Sequence, residues 1–221
     1  MVFIPALSFA GPTIITSLPY TITASGTYKL QKDLVSVADG ILVQHPNVVI
    51  NLSTFTIRGP GIRGPGAYGV NSASFENVVV KNGGIEGFGV GVNLGSMSSA
   101  QNLRVIALDG GIVLGSVNSD QVDSEAFGCT IIGFGNNATA GITTSGPGCI
   151  VRENRVYKFL FGMVSVNGHC EFVQNGVADC QFGLSTALAG GDYYQGNVLT
   201  NIKNQPFIGP GVAIGTENGG H

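Results

Sequence analysis

Apolar and polar residues alternate along this chain in runs of three to five, broken by glycine and asparagine. Val48-Val49-Ile50-Asn51-Leu52 and Phe55-Thr56-Ile57 are examples, and neither shows the i, i+3, i+4 spacing of an amphipathic helix. Such runs between turn residues predict short strands. The strands repeat. Between Gly141 and Leu184 the sequence reads twice in steps of 21: Gly141-Ile142 returns as Gly162-Met163 and Gly183-Leu184, Cys149 as Cys170, Val151 as Phe172, Asn154 as Asn175 and Val156 as Val177. Gly40-Ile41, Gly69-Val70, Gly91-Val92 and Gly111-Ile112 open earlier copies, so the intervals are 29, 22, 20, 30, 21 and 21 residues. A period near 20 with glycine and asparagine at fixed phases predicts a β-solenoid, one coil of three short strands per repeat.

A single coil cannot bury its apolar positions, and stacking covers them with the same positions of the next coil, about 4.8 Å away. The expected fold is therefore all-β, a right-handed parallel β-helix of about seven coils, its hand following from the crossover rule. Apolar ladders are expected through Val48, Val78, Val151 and Phe172, and a structural ladder of asparagine amides through Asn82, Asn154, Asn175 and Asn197. Two intervals carry extra residues, which a solenoid places in surface loops. These are Gly59 to Gly66, rich in Gly-Pro pairs, and Ile131 to Thr139. The chain divides into an apolar N-terminal arm (1–12), the β-helix (13–205) and a Gly/Pro-rich tail (206–221).

Composition narrows the function. Charged residues make up 10%, 43% are hydrophobic and net charge is −3, which argues against disorder and against a nucleic-acid partner. No apolar run of 18 residues exists to span a membrane. Cys129, Cys149, Cys170 and Cys180 form no C-x-x-C, and the histidines show no ligand spacing, so no metal or other cofactor is expected. Cys149 and Cys170 share one phase of adjacent coils. They read as stacked small core residues with free thiols, while a disulfide remains open. Met1 to Ala10 is similar to the tail of a signal peptide but lacks a basic start and is short.

"GTYKLQKDL", "GILVQHPNVVINLSTFTIRGPG", "NVVVKNGGIEGFGVGVNLG" and "YYQGNVLTN" resemble the right-handed parallel β-helix repeat proteins of the pectin-lyase-like superfamily, in particular secreted bacterial members without assigned activity. The resemblance covers most of Gly26 to Asn201 and implies an extracellular or cell-surface location. It also implies where an active site would be sought. The hydrolases of that superfamily carry N-x-D, D-D, G-H-G and R-x-K motifs, and this chain has no D-D, G-H-G or R-x-K. Its lyases use a carboxylate cluster for Ca²⁺ and a basic residue. The nearest candidates are Asp120, Asp123 and Glu125, of which Asp123 and Glu125 share a face if the strand is regular. "GFGVGVNLG" lacks the following helix of a dinucleotide fingerprint.

The leading expectation is a non-catalytic extracellular β-solenoid that assembles with itself into an oligomer or filament. Val2, Phe3, Ile4, Leu7 and Phe9 of the arm would be buried against another subunit. The alternative is a polysaccharide lyase, hydrolase or carbohydrate-binding module on the β-helix face, with Ca²⁺ only in the lyase case.

Overall fold

The computed structural model describes residues 11–63, 67–115, 123–134, 138–186 and 191–209, with the backbone of 219–220. These residues form a parallel β-solenoid of about eight turns, with no helix among them. The first full turn comprises Gly26–Leu30, Leu34–Val35 and Ile41–Val43. The last comprises Tyr193–Gln195, Val198–Thr200 and Gln205–Ile208. The third and fourth turns are each one bent strand, Val78–Leu94 and Ser99–Leu114. Like strands stack in parallel register, so the rod has three sheets. The glycine markers register only seven of the turns. At the equivalent register in the outermost turns of the third sheet stand Pro19, just before Tyr20–Ile22, and Pro206, within Gln205–Ile208.

The glycine phase has a steric cause. A Cβ on Gly111 would lie 2.3 Å from the carbonyl oxygen of Gly141, and one on Gly162 would lie 2.3 Å from Val177 and 2.7 Å from the oxygen of Gly183. Each turn seats its glycine against the backbone of the next, closer than any side chain allows.

The core is a set of vertical ladders. In the second sheet Ile57, Ile85, Val105, Ile131, Val156, Val177 and Leu199 stack in register. In the first sheet the ladder runs Tyr28, Ile50, Val80, Ala100, Ala126, Val151, Phe172, Tyr194. The apolar ladder expected through Val48, Val78, Val151 and Phe172 is therefore two ladders. Val48 and Val78 pair with each other two residues earlier in the strand, on a second inward line. Period-2 alternation puts both lines inside, so burial alone does not distinguish them.

Corners are made by residues with positive φ. Where the first sheet bends into the second these are Asn82, Asn102, Gly128, Glu153, Gln174 and Gly196 in successive turns. Where the third bends into the first they are Asn47, Asn77, Met97, Asp123, Gly148, His169 and Gly191. The left-handed conformation suits glycine and asparagine and is costly for other side chains. Met97, at φ 51° and half exposed, fits its place least. Its neighbour Asn77 donates from Nδ2 to Oδ1 of Asn47 over 2.6 Å, one turn apart. Met97→Asn would extend that amide pair by a rung and relieve the backbone. We expect a gain of about 1 kcal/mol, read as a melting temperature raised by about 2–4 °C.

Bending frees backbone N–H groups, and buried side chains take them up. Oδ1 of Asn154 accepts from the N–H of Cys129 (2.9 Å), Oδ1 of Asn175 from that of Asn154 (3.0 Å) and Oδ1 of Asn197 from that of Asn175 (3.0 Å). Their Nδ2 groups donate to the carbonyls of Ala126, Val151 and Phe172. Asn82 stands outside this column. In its turn the column position is Gly83, in register with Leu103, and Asn82 is the left-handed residue just before it, its Nδ2 3.5 Å from Oδ1 of Asn51.

Candidate functional site

Both insertions lie at the same corner, between the second and third sheets. One follows Thr56–Arg58 in the second turn and the other follows Thr130–Gly133 in the fifth. They flank the third and fourth turns. Phe134 N–H donates to the carbonyl of Ala107 (2.8 Å), which plants the second insertion on the fourth turn. Gly59 and Gly61 donate to the carbonyls of Glu86 and Gly87 (2.7 and 2.9 Å), which plants the first insertion on the third turn. A Cβ on Gly59 would fall 2.6 Å from the Phe88 ring, so glycine is needed for that approach. Arg63 reaches from the first insertion to the second. Its Nη2 donates to the carbonyl of Phe134 (3.2 Å) and its Nη1 is 3.7 Å from Oδ1 of Asp109.

Between these walls is a cleft of about 340 Å³. Ile106 and Leu108 give it an apolar floor, glycine backbone closes one side, and Phe134, 64% exposed, stands at the other. Its polar rim is Arg58 and Glu86. They belong to a line of alternating charge along the outer face of the second sheet. Asp33 pairs with Arg58 (2.9 Å), Arg58 with Glu86 (3.7 Å), and Glu86 with Arg104. The N–H of Thr56 and then the Arg58 guanidinium hold the Asp33 carboxyl below its usual range. On the far side of that face a groove of about 860 Å³ shares Glu86 and Arg104 and is lined by amides and hydroxyls, among them Asn51, Thr56, Asn82 and Thr130.

The carboxylates singled out from sequence are elsewhere. Glu125 is on the outer face of the first sheet, where its Oε1 accepts from Nε of Arg152 (2.5 Å), and Arg152 covers the Phe127 ring at 4.3 Å. Asp123 is the left-handed corner residue before that strand, packed against Gly148. Strand alternation therefore does not reach Asp123, and the two do not share a strand face. Asp120 lies outside the described residues, as do Val2, Phe3, Ile4, Leu7 and Phe9. Arg104 is on the second sheet, paired with Glu86, and His169 is an exposed corner residue whose ring lies over Gly191.

All four cysteines are buried and free. Burial pushes the Cys129 thiol up to about 11. The Cys149 thiol beside it lowers Cys170, while Cys170 and burial raise Cys149. Among the described residues no three His, Cys, Asp or Glu side chains converge as a metal site would require.

Sequence reasoning missed the cleft. Its signal was the position of the two long intervals, each ending at a glycine marker, Gly69 and Gly141, which assigns both insertions to one corner. Comparison with protein-family models, curated proteins and solved structures finds no match to this chain.

Proposed function

We propose that the protein is a non-catalytic extracellular β-solenoid that binds a polysaccharide across the outer face of its second sheet. The observation that carries this reading is the cleft between the two insertions. A sugar presents an apolar C–H face and a rim of hydroxyls. Phe134, Ile106 and Leu108 offer surface for the first, and Arg58, Glu86 and Arg104 offer charged donors and acceptors for the second. The turns repeat about every 4.8 Å along the face, close to the length of one pyranose unit. The resemblance to pectin-lyase-like solenoids supports the same ligand class and an extracellular setting. A lyase or hydrolase is the less favoured form, because Glu125 is held by Arg152 in a surface ion pair.

Affinity electrophoresis through gels containing neutral and acidic polysaccharides tests the reading. The intact protein should be retarded in at least one gel, and Phe134→Ala should lose most of that retardation while keeping its melting temperature. No retardation in any gel, or retardation unchanged by Phe134→Ala and Arg58→Ala, would overturn it.

A second reading, self-assembly into a filament or closed oligomer, is favoured by the last turn. Tyr193–Gln195 and Gln205–Ile208 have no following strand among the described residues, and Phe207 there is 38% exposed. Open strand edges are templates for another chain. Sedimentation of the intact chain and of one lacking residues 1–10 separates the cases, and an unchanged monomer in both excludes assembly.

A further inference from the structure

The three outer faces of the rod differ in charge. The first sheet presents Lys29, Lys81, Glu125, Arg152 and Glu171, and the second presents Arg58, Glu86, Arg104 and Arg155. The third presents none. No described residue paired in that sheet, from Tyr20–Ile22 to Gln205–Ile208, is Asp, Glu, Lys or Arg. Two lines of side chains face out from it, at the first and fourth positions of strands whose middle residues are buried. One line is Tyr68, Val90, Gly110, Ala140, Phe161 and Phe182, and the other is Asn71, Asn93, Val113, Thr143, Val164 and Ser185. The Phe161 and Phe182 rings stack at 5.0 Å and 19°. Val166, just past one strand, is 41% exposed. The carboxylates at the bordering corner are engaged: Oδ1 of Asp39 accepts from the N–H of Tyr68 (2.8 Å), and Asp109 faces Arg63.

We propose that a second copy of the chain docks on this face, side by side, to form a two-fold dimer. Loss of charge with aromatic side chains present marks the core of an interface rather than a solvated sheet. The face is large enough. Eight turns about 4.8 Å apart and strands of five residues span roughly 34 by 16 Å, so two copies would bury on the order of 1,100 Å². A specific interface needs about 1,000 Å². The face also fits itself. Phe182 is beside Ser185, Tyr68 beside Asn71 and Gly110 beside Val113, a larger and a smaller residue in each turn. A copy rotated by half a turn about an axis along the rod sets each line against the other at equal height, large against small. Flat sheets pack face to face in this way. The same patch on both partners closes at two copies. The contact rests on neither reading above, because it uses neither the open strands of the last turn nor the charged line of the second sheet.

Sedimentation equilibrium over the micromolar range tests the proposal. The intact chain should have twice its 22.7 kDa mass. Thr143→Lys combined with Val164→Lys sets like charges at the centre of the face and should leave single chains with an unchanged circular dichroism spectrum. Val113→Lys alone, in the fourth turn, should also lose the dimer and replaces the double variant should that one fail to fold. Val79→Lys, outward on the first sheet, should remain dimeric, and so should the chain lacking residues 1–10. A monomeric wild type overturns the proposal, as does a dimer that survives both third-sheet changes. A dimer lost on removal of residues 1–10 but kept by the third-sheet variants assigns the contact to the arm and overturns it too. Species larger than two chains that persist in the third-sheet variants come from the end joint and count against the lateral contact.

Discussion

Replacing Asn175 with leucine is expected to destabilise the protein by roughly 3–5 kcal/mol, since each buried polar group left without a partner costs about 1–3 kcal/mol. Leucine fills a similar volume but makes none of the bonds. The N–H of Asn154 loses its acceptor, the carbonyl of Val151 loses a donor, and Nδ2 of Asn154 loses one of two acceptors. All these groups are inside the rod, where water does not replace the lost partner. The middle position of the column should be the most sensitive, because Asn175 bonds both the turn above and the turn below. Urea denaturation followed by circular dichroism measures the effect. A loss below about 1 kcal/mol would mean that the bend satisfies its backbone by another route.

Phe172→Ala should cost about 3–5 kcal/mol, the range for removing a buried aromatic ring and leaving a cavity. Phe172 is 1% exposed, in register with Val151 below and Tyr194 above, and its ring stacks on Tyr194 at 5.4 Å and 22°. The ladder is narrow in the middle, with Ala100 and Ala126, and widens toward the last turns, so the neighbours of Phe172 are large and cannot close the gap. Because each turn contacts chiefly its neighbours, the damage should be local. Hydrogen exchange should lose protection in residues 171–208 well before residues 41–94. Equal loss in both regions would show that the solenoid unfolds as one unit.

The repeat was legible because steric and hydrogen-bond demands recur at fixed phases. Gly162 has to be glycine, and Asn175 has to be an amide, so both mark the sequence every 21 residues. Asn82 misled because a left-handed corner and a buried amide column both select asparagine and are adjacent in the chain. The inward line of the first sheet from Ser98 and Ser124 through Cys149 and Cys170 to Asp192 was legible only at its two cysteines, since serine, cysteine and aspartate share no pattern beyond position. Arg58, Glu86 and Arg104 were not read as a group because the intervals between turns are unequal; the register pairs Arg58 with Glu86 and sets Arg104 opposite Gly84, two residues away on the same face. Loop lengths announced the two insertions, but the cleft between them depends on which corner each occupies.

All three sheets are stacked in parallel, so the hydrogen bonds between turns run along the rod axis. Tension applied at the two ends would therefore load every joint in the direction in which it opens. The chain would peel one turn at a time, like a zipper, at a force set by its weakest turn. A pull across the rod would instead have to shear several strands together. As a tether the molecule would be a soft fuse along its length and a stiff plate across it, and a binding face on the side of the rod takes its load in the stronger direction.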